Sequence, residues 1–391
     1  MPAASPLREV ALLFLRLGTT AFGGPAAHIA MMEDEVVRRR RWLTRPEFLD
    51  LLGAANLIPG PNSTELAIHV GYRRAGRAGL VVAGLCFILP AALVVTLIAW
   101  AYVRSGTLPA AAGLLHGVKP VVIAVIAQAL WGLGRSALKS AALAALAVAA
   151  VVAVVLGAHE LLVLLAAAII GAVMGAGRPR PPAPPARDER RSERRDAAAD
   201  DDTLPAVAAA ALALPAAASG TLGTLFLTMA KTGAVLFGSG YVLLAFLRAD
   251  FVERLGWLSE RQLLDAVAIG QVTPGPVFTT ATFVGYLVAG PAGAAVATVG
   301  IFLPAFLFVA ASGPLVPRLR RSPVAGAVLD AVNVASLALM AVVAVQLARA
   351  AVVDLPTLLL ALAALALLLR WRVNAAWLVL GGAVAGMVLG G

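Results

Sequence analysis

The chain has 391 residues, of which 61% are hydrophobic and only 13% are charged. Soluble domains carry about 25% charged residues, so this composition excludes a water-soluble fold. The formal net charge is +10, but the arginines stand in short clusters between apolar segments rather than along one amphipathic face. That distribution argues against nucleic-acid binding and is typical of the cytoplasmic loops of a membrane protein.

Several apolar stretches reach or approach the roughly 20 residues that cross a hydrocarbon core, which predicts an all-α polytopic membrane protein. The first, at 7–33, is too long for a cleaved secretory signal and has Arg16 inside it. Segment 46–73 is broken at Pro59-Gly60-Pro61 and lies between two basic loops, so we expect a re-entrant hairpin that enters from the cytoplasm. The later helices of this half are predicted at about 78–103, 108–134, 138–156 and 160–176.

Residues 177–203 are rich in proline and then in mixed charges, which predicts a solvated cytoplasmic linker. The sequences on either side, 1–176 and 204–391, repeat one another in a fixed order. Shared composition does not produce such an ordered series, so we interpret the chain as a duplication. The clearest matches, at one constant offset, are Phe22-Gly23-Gly24 with Phe237-Gly238-Ser239, Asp50 with Asp265, and Pro59-Gly60-Pro61 with Pro274-Gly275-Pro276.

The second half is predicted to be inverted relative to the first. Its loop at 248–261 balances basic against acidic residues, which suits the outside, and its hairpin at 262–288 would enter from there. Each half then makes about five crossings beside its hairpin. Inverted repeats give inward and outward states when one moves against the other, which predicts a secondary transporter. The remaining helices are predicted at about 292–313, which ends at the Arg318 cluster inside, and at 323–347, 356–369 and 373–390.

The two Pro-Gly-Pro elements are the strongest candidates for a binding site. Neither can continue a helix, so each hairpin should contain two half-helices, the second beginning at Pro61 or Pro276. Free amides at such a helix start carry partial positive charge and suit an oxyanion. Ordinary proline kinks are the alternative. The predicted tip residues are Asn56, Gly60, Asn62, Ser63 and Thr64 in the first half, and Gln271, Gly275, Thr279 and Thr280 in the second; the helix-break motifs are Phe22, Gly23, Gly24, Pro59, Pro61, Phe237, Gly238, Pro274 and Pro276.

Three cations inside apolar segments are further candidates for anion binding. Arg16 and Lys231 occupy matched positions, each a few residues before a Phe-Gly element, and Lys119 lies in a third apolar helix opposite Asn333. Intramembrane cations are costly and usually functional, although snorkelling to the headgroups is the alternative.

Three acidic or imidazole side chains are candidates for proton coupling. Glu65 and His69 share one helical face after the first break, and His28 follows the Phe-Gly-Gly element. Structural roles are the alternative for all three. Acidic residues near the loops are expected to pair with arginines, and the single cysteine, Cys86, is expected to be inert packing. The acidic residues expected to pair with arginines are Glu33, Asp34, Glu35, Asp50 and Asp265.

The combined pattern resembles the signature of the chromate transporter family, in its long-chain form with two repeats. The residues that carry the resemblance are Phe22-Gly23-Gly24-Pro25 with His28, Asn56-Leu57-Ile58-Pro59-Gly60-Pro61-Asn62, Phe237-Gly238-Ser239-Gly240 and Gln271-Val272-Thr273-Pro274-Gly275-Pro276. The resemblance implies export of chromate across the bacterial or archaeal plasma membrane, driven by the membrane potential or by protons, and resistance to chromate. Chromate and sulfate are both tetrahedral dianions, so the sequence does not separate them.

Two other classes of protein remain open at this point. An intramembrane enzyme would need a nucleophile with a base or a set of metal ligands, whereas the few histidines are scattered, so we expect no enzyme, cofactor or metal site. A sensor or scaffold without flux would not need paired helix breaks. The expected partners are the oxyanion and the lipid bilayer, without nucleic acid; a homodimer is an open option.

Overall fold

The computed structural model describes residues 5–22, 24–105, 109–176, 220–237, 242–312, 322–371, 373 and 375–389. The described residues form helices, and no strand occurs among them. The predicted linker at 177–203, the Arg318 cluster, and the break residues Gly23 and Gly238 lie outside this part of the chain.

The described α-helices fall into two sets of seven, beside which stand two π-helices and one 3-10 turn. In the first half they are α1 (Pro6–Thr20), α2 (Gly24–Glu33), a π-helix (Asp34–Arg39), α3 (Arg45–Ala55), α4 (Asn62–Ser105), α5 (Pro109–Ala137), α6 (Ala141–Val155) and α7 (Glu160–Ala176). In the second half they are α8 (Gly220–Val235), α9 (Leu243–Leu247), a π-helix (Arg248–Arg254), α10 (Glu260–Val272), a 3-10 turn (Val277–Thr279), α11 (Thr280–Ser312), α12 (Pro323–Ala351), α13 (Leu355–Trp371) and α14 (Ala375–Leu389).

The first apolar segment, 7–33, contains two helices, which are separated at the position of the predicted break motif 22–24. α1 ends at Thr20 and α2 begins at Gly24, whose φ of 76° is in the left-handed region that favours glycine. Pro25 follows and suits a first helical turn, where its missing amide is not needed. Local backbone chemistry therefore divides a stretch whose apolar composition is continuous.

α4 and α11 each fold back on themselves. Ala75–Gly76 and Ala289–Gly290 have non-helical torsions, and both glycines have a φ of 60°. Gly71 packs against Gly79 and Ala83. In one continuous helix, Gly71 and Ala83 would be roughly 18 Å apart, so the chain must reverse between them. The first part of α4, 62–74, thus forms a hairpin with α3, since Arg73 reaches Glu47 at the start of α3, 3.9 Å away.

Apolar helices suited to a membrane are present in both halves. Among the described residues, α4, α5, α11 and α12 are long and apolar enough to cross a bilayer, and α6, α7, α13 and α14 are apolar but shorter. The prediction of a helical membrane protein with a duplicated repeat is confirmed at this level.

The helices pack as two bundles, each built from matched helices of both halves. In the break bundle, α1–α4 and α8–α11, helix α1 packs on α4, α8 on α11, and α4 on α11. In the scaffold bundle, α5–α7 and α12–α14, helix α5 packs on α13 and α14, α12 on α6 and α7, and α5 on α12. Each of these pairings is thus matched by its counterpart from the other half, or joins a helix to its own counterpart.

One pair of salt bridges shows how closely the halves correspond. Glu33 lies 3.4 Å from Arg45 in the first half, and Arg248 lies 2.6 Å from Glu260 at the matched positions. The charges are reversed, yet the bridge is kept. In each half it joins the segment around the π-helix to the start of the following helix.

Candidate functional site

Each Pro-Gly-Pro break is bonded to the first helix of the opposite half. The Gly60 amide donates to the Leu236 carbonyl at 2.7 Å, and the Gly275 amide donates to the Ala21 carbonyl at 2.9 Å. Ala21 and Leu236 directly follow α1 and α8, at matched positions. Each break therefore meets the end of the opposite half's first helix in the break bundle.

Both break glycines are required by conformation, and Gly275 is required by space as well. Gly60 has a φ of 135° and Gly275 a φ of 90°. A Cβ on Gly275 would lie 2.8 Å from Ala91 and 3.1 Å from the Gly18 carbonyl oxygen, and a Cβ on Gly60 would collide with the Glu65 carboxylate. Any side chain would strain the backbone and push the tips off the helices that hold them.

The start of α4 presents backbone donors beside polar side chains. The Thr64 and Glu65 amides bond to the Pro61 carbonyl at 2.7 and 3.0 Å, whereas within the described residues the Asn62 and Ser63 amides donate to no backbone carbonyl. The side-chain NH2 group of Asn62 donates to the side-chain oxygen of Asn56 at 2.8 Å. These groups form the positive end of a helix dipole.

His28 ties this tip to the other break. Its Nε2 lies 3.1 Å from the Ala21 carbonyl that also accepts from Gly275, and its Nδ1 lies 3.3 Å from the Ser63 hydroxyl. A carbonyl only accepts, so Nε2 carries the proton and, in the neutral ring, the Ser63 hydroxyl donates to Nδ1. The ring is buried and packs edge-on against Phe87, 5.5 Å between centroids.

The second tip is less polar than the first. Val277 and Phe278 occupy the positions of Asn62 and Ser63, and both are buried. The Thr279 and Thr280 hydroxyls donate to the Pro276 and Val277 carbonyls, each at 2.8 Å. These hydroxyls are thus engaged within their own turn.

Buried polar atoms without partners cluster behind the first tip. Within the described residues, the Thr64 hydroxyl, both Glu65 carboxylate oxygens and His69 Nε2 have no hydrogen-bond partner. Glu65 is fully buried and lies against Gly60. A buried carboxylate without a partner is strongly disfavoured, so Glu65 is held as the neutral acid or satisfied by a ligand.

Arg16 and Lys231 pair with carboxylates at matched positions of the two π-helices. Arg16 bonds to Glu35, and Lys231 lies 2.6 Å from Asp250. Burial acts to raise the pKa of Glu35, but hydrogen bonds and charge from Arg16, with further arginines nearby, outweigh it and hold the pKa below its usual value. Anion binding by Arg16 and Lys231 stays a prediction. Glu33 and Asp34 pair with arginines, as expected.

Lys119 contacts Asp265, an acid that the sequence predicts to lie near a loop and to pair with an arginine. Asp265 is fully buried on α10; one oxygen lies 3.1 Å from Lys119 Nζ and the other accepts from the Tyr102 hydroxyl at 2.8 Å. The expectation was wrong because α10 begins at Glu260, which carries Asp265 into the packed interior. The apolar flanks of Asp265, Leu263-Leu264 and Ala266-Val267, were the signal that sequence reasoning missed.

No group of three or more side chains suited to a metal ion occurs in the described part of the chain. The geometry instead offers backbone amides, hydroxyls and carboxamides at the tips, with paired cations at a distance. Interlocked helical repeats with matched helix breaks define the class of membrane transporters built from internal duplications.

Comparison with known proteins gives the family. Residues 8–172 and 223–387 each match the chromate transporter family, to which the chain therefore belongs. It is 36% identical to the chromate transport protein of Cupriavidus metallidurans over 98% of this chain and 93% of that protein. It is 32% identical to the chromate transport protein of Pseudomonas aeruginosa over 96% and 91%.

Two further comparisons bear on the duplication and the fold. An uncharacterized transporter of Bacillus subtilis is 30% identical over 33% of this chain and 72% of its own length, so the match spans less than one half of this chain. No solved structure matches this chain.

Proposed function

We propose that the chain is a secondary transporter that exports chromate from the cytoplasm across the plasma membrane and so gives chromate resistance. Its membership of the family and the relatives named for chromate transport support the substrate. The observation that carries the transport mechanism is the reciprocal bonding of each break glycine to the opposite half. It holds each break against the first helix of the opposite half, and this supports a site at the helix starts that follow the breaks, whose free amides suit an anion stripped of water.

The anion site lies between the two tips in this proposal. The Asn62 and Ser63 amides, the Ser63 and Thr64 hydroxyls and the Asn56 carboxamide supply donors from the first tip. The second tip contributes less through side chains, since Val277 and Phe278 replace the polar pair, and it acts through its helix dipole together with Gln271, Thr279 and Thr280. Many donors fixed in place replace the hydration shell of a tetrahedral dianion.

The cations act at longer range. Arg16 and Lys231 are engaged with carboxylates, so their charge reaches the tips through the low-dielectric interior rather than by contact. Glu65, with His69 and His28 nearby, is the proposed proton-linked group. A proton on Glu65 removes the repulsion between its carboxylate and a dianion at the adjacent tip, so proton and anion should bind together.

The membrane potential supplies a driving force. Moving one elementary charge through 100 mV is worth about 2.3 kcal/mol. The cytoplasm is negative, so a dianion that leaves gains about twice that amount, less the contribution of any proton that accompanies it. Export therefore needs no nucleotide.

Chromate accumulation in inside-out membrane vesicles tests the proposal. Vesicles with the full chain should take up chromate faster than matched vesicles without it, and sulfate should compete only where the site accepts both dianions. Stronger uptake of sulfate than of chromate would assign the sulfate alternative. A chain that moves neither anion would be a sensor or scaffold, and the proposed function would be wrong.

A further inference from the structure

The matched hairpins are packed differently although their sequences correspond. On α3, Leu49 is 50% exposed and Asp50 is exposed; on α10, the matched Leu264 and Asp265 are both 0% exposed. The neighbouring matched positions follow the same trend, with Leu52 partly exposed and Val267 buried. One hairpin is closed in by other helices, and the other is open.

The helices that cover α10 come from the scaffold bundle. α10 packs against α5, α12 and α14, while α3 packs chiefly against α4 within its own bundle. The largest apolar core crosses both bundles on the α10 side and includes Val267, Val121 and Leu339. The apolar core around α3, with Phe48, stays inside the break bundle.

A buried polar cluster fastens the closed side. Asp265 of α10 is held by Lys119 of α5 at 3.1 Å and by the hydroxyl of Tyr102 of α4 at 2.8 Å. We call these three residues the lock. The matched position of Asp265 is Asp50, and that of Lys119 is Asn333 on α12, which is half-buried.

We infer that this structure is one of two states, and that the other state exchanges the roles of the two hairpins. In the second state α3 packs against α12, α5 and α7, Asp50 lies beside Asn333, and α10 separates from α5 as Asp265 leaves Lys119. Duplicated halves provide two equivalent interfaces, and in the described part of the chain only the one at α10 is extensive. This inference rests on the proposed transport function, which requires a site open to alternate sides.

The lock sets which state is preferred. Lys119 with Asp265 is a charged pair, whereas Asn333 with Asp50 is not, so the closed side has the stronger fastening. With the predicted topology, α10 enters from outside, and the present state is therefore closed to the outside and open to the cytoplasm. An anion entering from the cytoplasm would reach the first tip, which carries the more polar side chains.

Two single-cysteine reporters read the states directly. With Cys86 replaced by serine, Leu49→Cys should react with a water-soluble maleimide in permeabilised membranes severalfold faster than Leu264→Cys, since only Leu49 is exposed. Lys119→Asn makes the lock resemble its counterpart. It should slow the reaction at Leu49→Cys and speed the reaction at Leu264→Cys.

The reverse substitution guards against simple unfolding. Asn333→Lys gives the other side a charged pair and should slow the reaction at Leu49→Cys in a protein whose lock is intact. Lys139→Asn, which breaks the scaffold ion pair between Lys139 and Asp330 at 2.6 Å, is the matched control and should change neither reporter. Reactions that rise together at both reporters, or that stay unchanged in both Lys119→Asn and Asn333→Lys, would overturn the inference.

A crosslink identifies the second state. With a protease site placed in the linker 177–203, Asp50→Cys and Asn333→Cys should be joined by a short bifunctional thiol reagent, so that the two halves stay together after cleavage. Lys119→Asn should raise the crosslinked fraction, and absence of any crosslink in that variant would contradict the inference. Neither readout needs chromate. If the chain moves no anion but its two reporters change in opposite directions, the proposed function is wrong and this inference still holds.

Discussion

Gly60 and Gly275 are the residues on which the proposed site depends most directly. Each combines a positive φ with a backbone amide that reaches the opposite half. A Cβ at either position meets atoms of the packed interior. The glycines are therefore needed to bring the tips together, whatever donors the neighbouring side chains supply.

Alanine at either glycine should abolish most chromate flux while the protein stays folded. The added methyl group strains a backbone with positive φ at both positions, and at Gly275 it also meets Ala91 and the Gly18 carbonyl, so the tip has to move. Flux in vesicles and a size-exclusion profile of the purified variant give the two readouts. Gly132→Ala is a control, since a Cβ there meets nothing within 4 Å. Normal flux in Gly60→Ala and Gly275→Ala together would remove the tips from the site.

Arg16→Gln and Lys231→Gln separate a role in anion binding from a role in stability. Lys231→Gln leaves Asp250, which is 2% exposed, with fewer partners, so it should cost up to about 3–5 kcal/mol of folding free energy. Arg16→Gln should cost less, because Glu35 keeps Arg39 and Arg40. If the charges act on the dianion, both variants should weaken chromate binding by more than about tenfold. Parent-like binding in both, measured by titration, would make them structural cations.

At the scale of elements, the charge-reversed bridges make a direct test of correspondence between the halves. Arg248 is 15% and Glu260 34% exposed at their side chains, against 71% and 23% for Arg45 and Glu33. Arg248→Glu should therefore destabilise more than Glu33→Arg, which should cost no more than about 1 kcal/mol. Adding Glu260→Arg to Arg248→Glu should recover most of the loss. Thermal unfolding in detergent measures both; no recovery would mean that the bridge contributes nothing.

The breaks were predictable because proline and glycine act locally. Pro59-Gly60-Pro61 and its repeat interrupt the hairpins where expected, and the loop expected at 73–77 contains the fold-back of α4. The break between α1 and α2 also falls at a predicted motif, Phe22-Gly23-Gly24, although the apolar composition of 7–33 is continuous through it. The lock was missed, because Tyr102, Lys119 and Asp265 are far apart in sequence and their contact leaves no local pattern.

At the scale of the whole molecule, the two bundles mix the halves, which the duplication alone did not predict. Each scaffold helix finds its main partners in the other half, so neither half buries its apolar surfaces alone. Contacts between distant helices also agree with the inverted topology. A cavity of about 390 Å³ joins the turn at 157–160, just before the helix that leads to the predicted cytoplasmic linker, to the π-helix at 248–254, which is predicted to lie outside.

Inverted topology predicts that the linker near Arg190 is cytoplasmic and that the loop near Arg254 is external. Single cysteines at these two positions, in a chain without Cys86, should differ in their reaction with an impermeant maleimide in intact cells. Only the cysteine at 254 should react before the cells are opened. Reaction of both from the same side would contradict the inverted arrangement and the alternation that depends on it.

Potential-driven chromate flux in proteoliposomes tests the central claim most directly. Purified protein should release chromate loaded inside the vesicles when a potassium gradient with valinomycin makes the interior negative, and the rate should rise with the imposed potential. Gly60→Ala and Gly275→Ala, reconstituted at the same density, should lose that release, whereas Gly132→Ala should keep it. The opposite result, with no potential-dependent release by the parent protein or with unchanged release by both break-glycine variants, would contradict an anion path between the two helix starts.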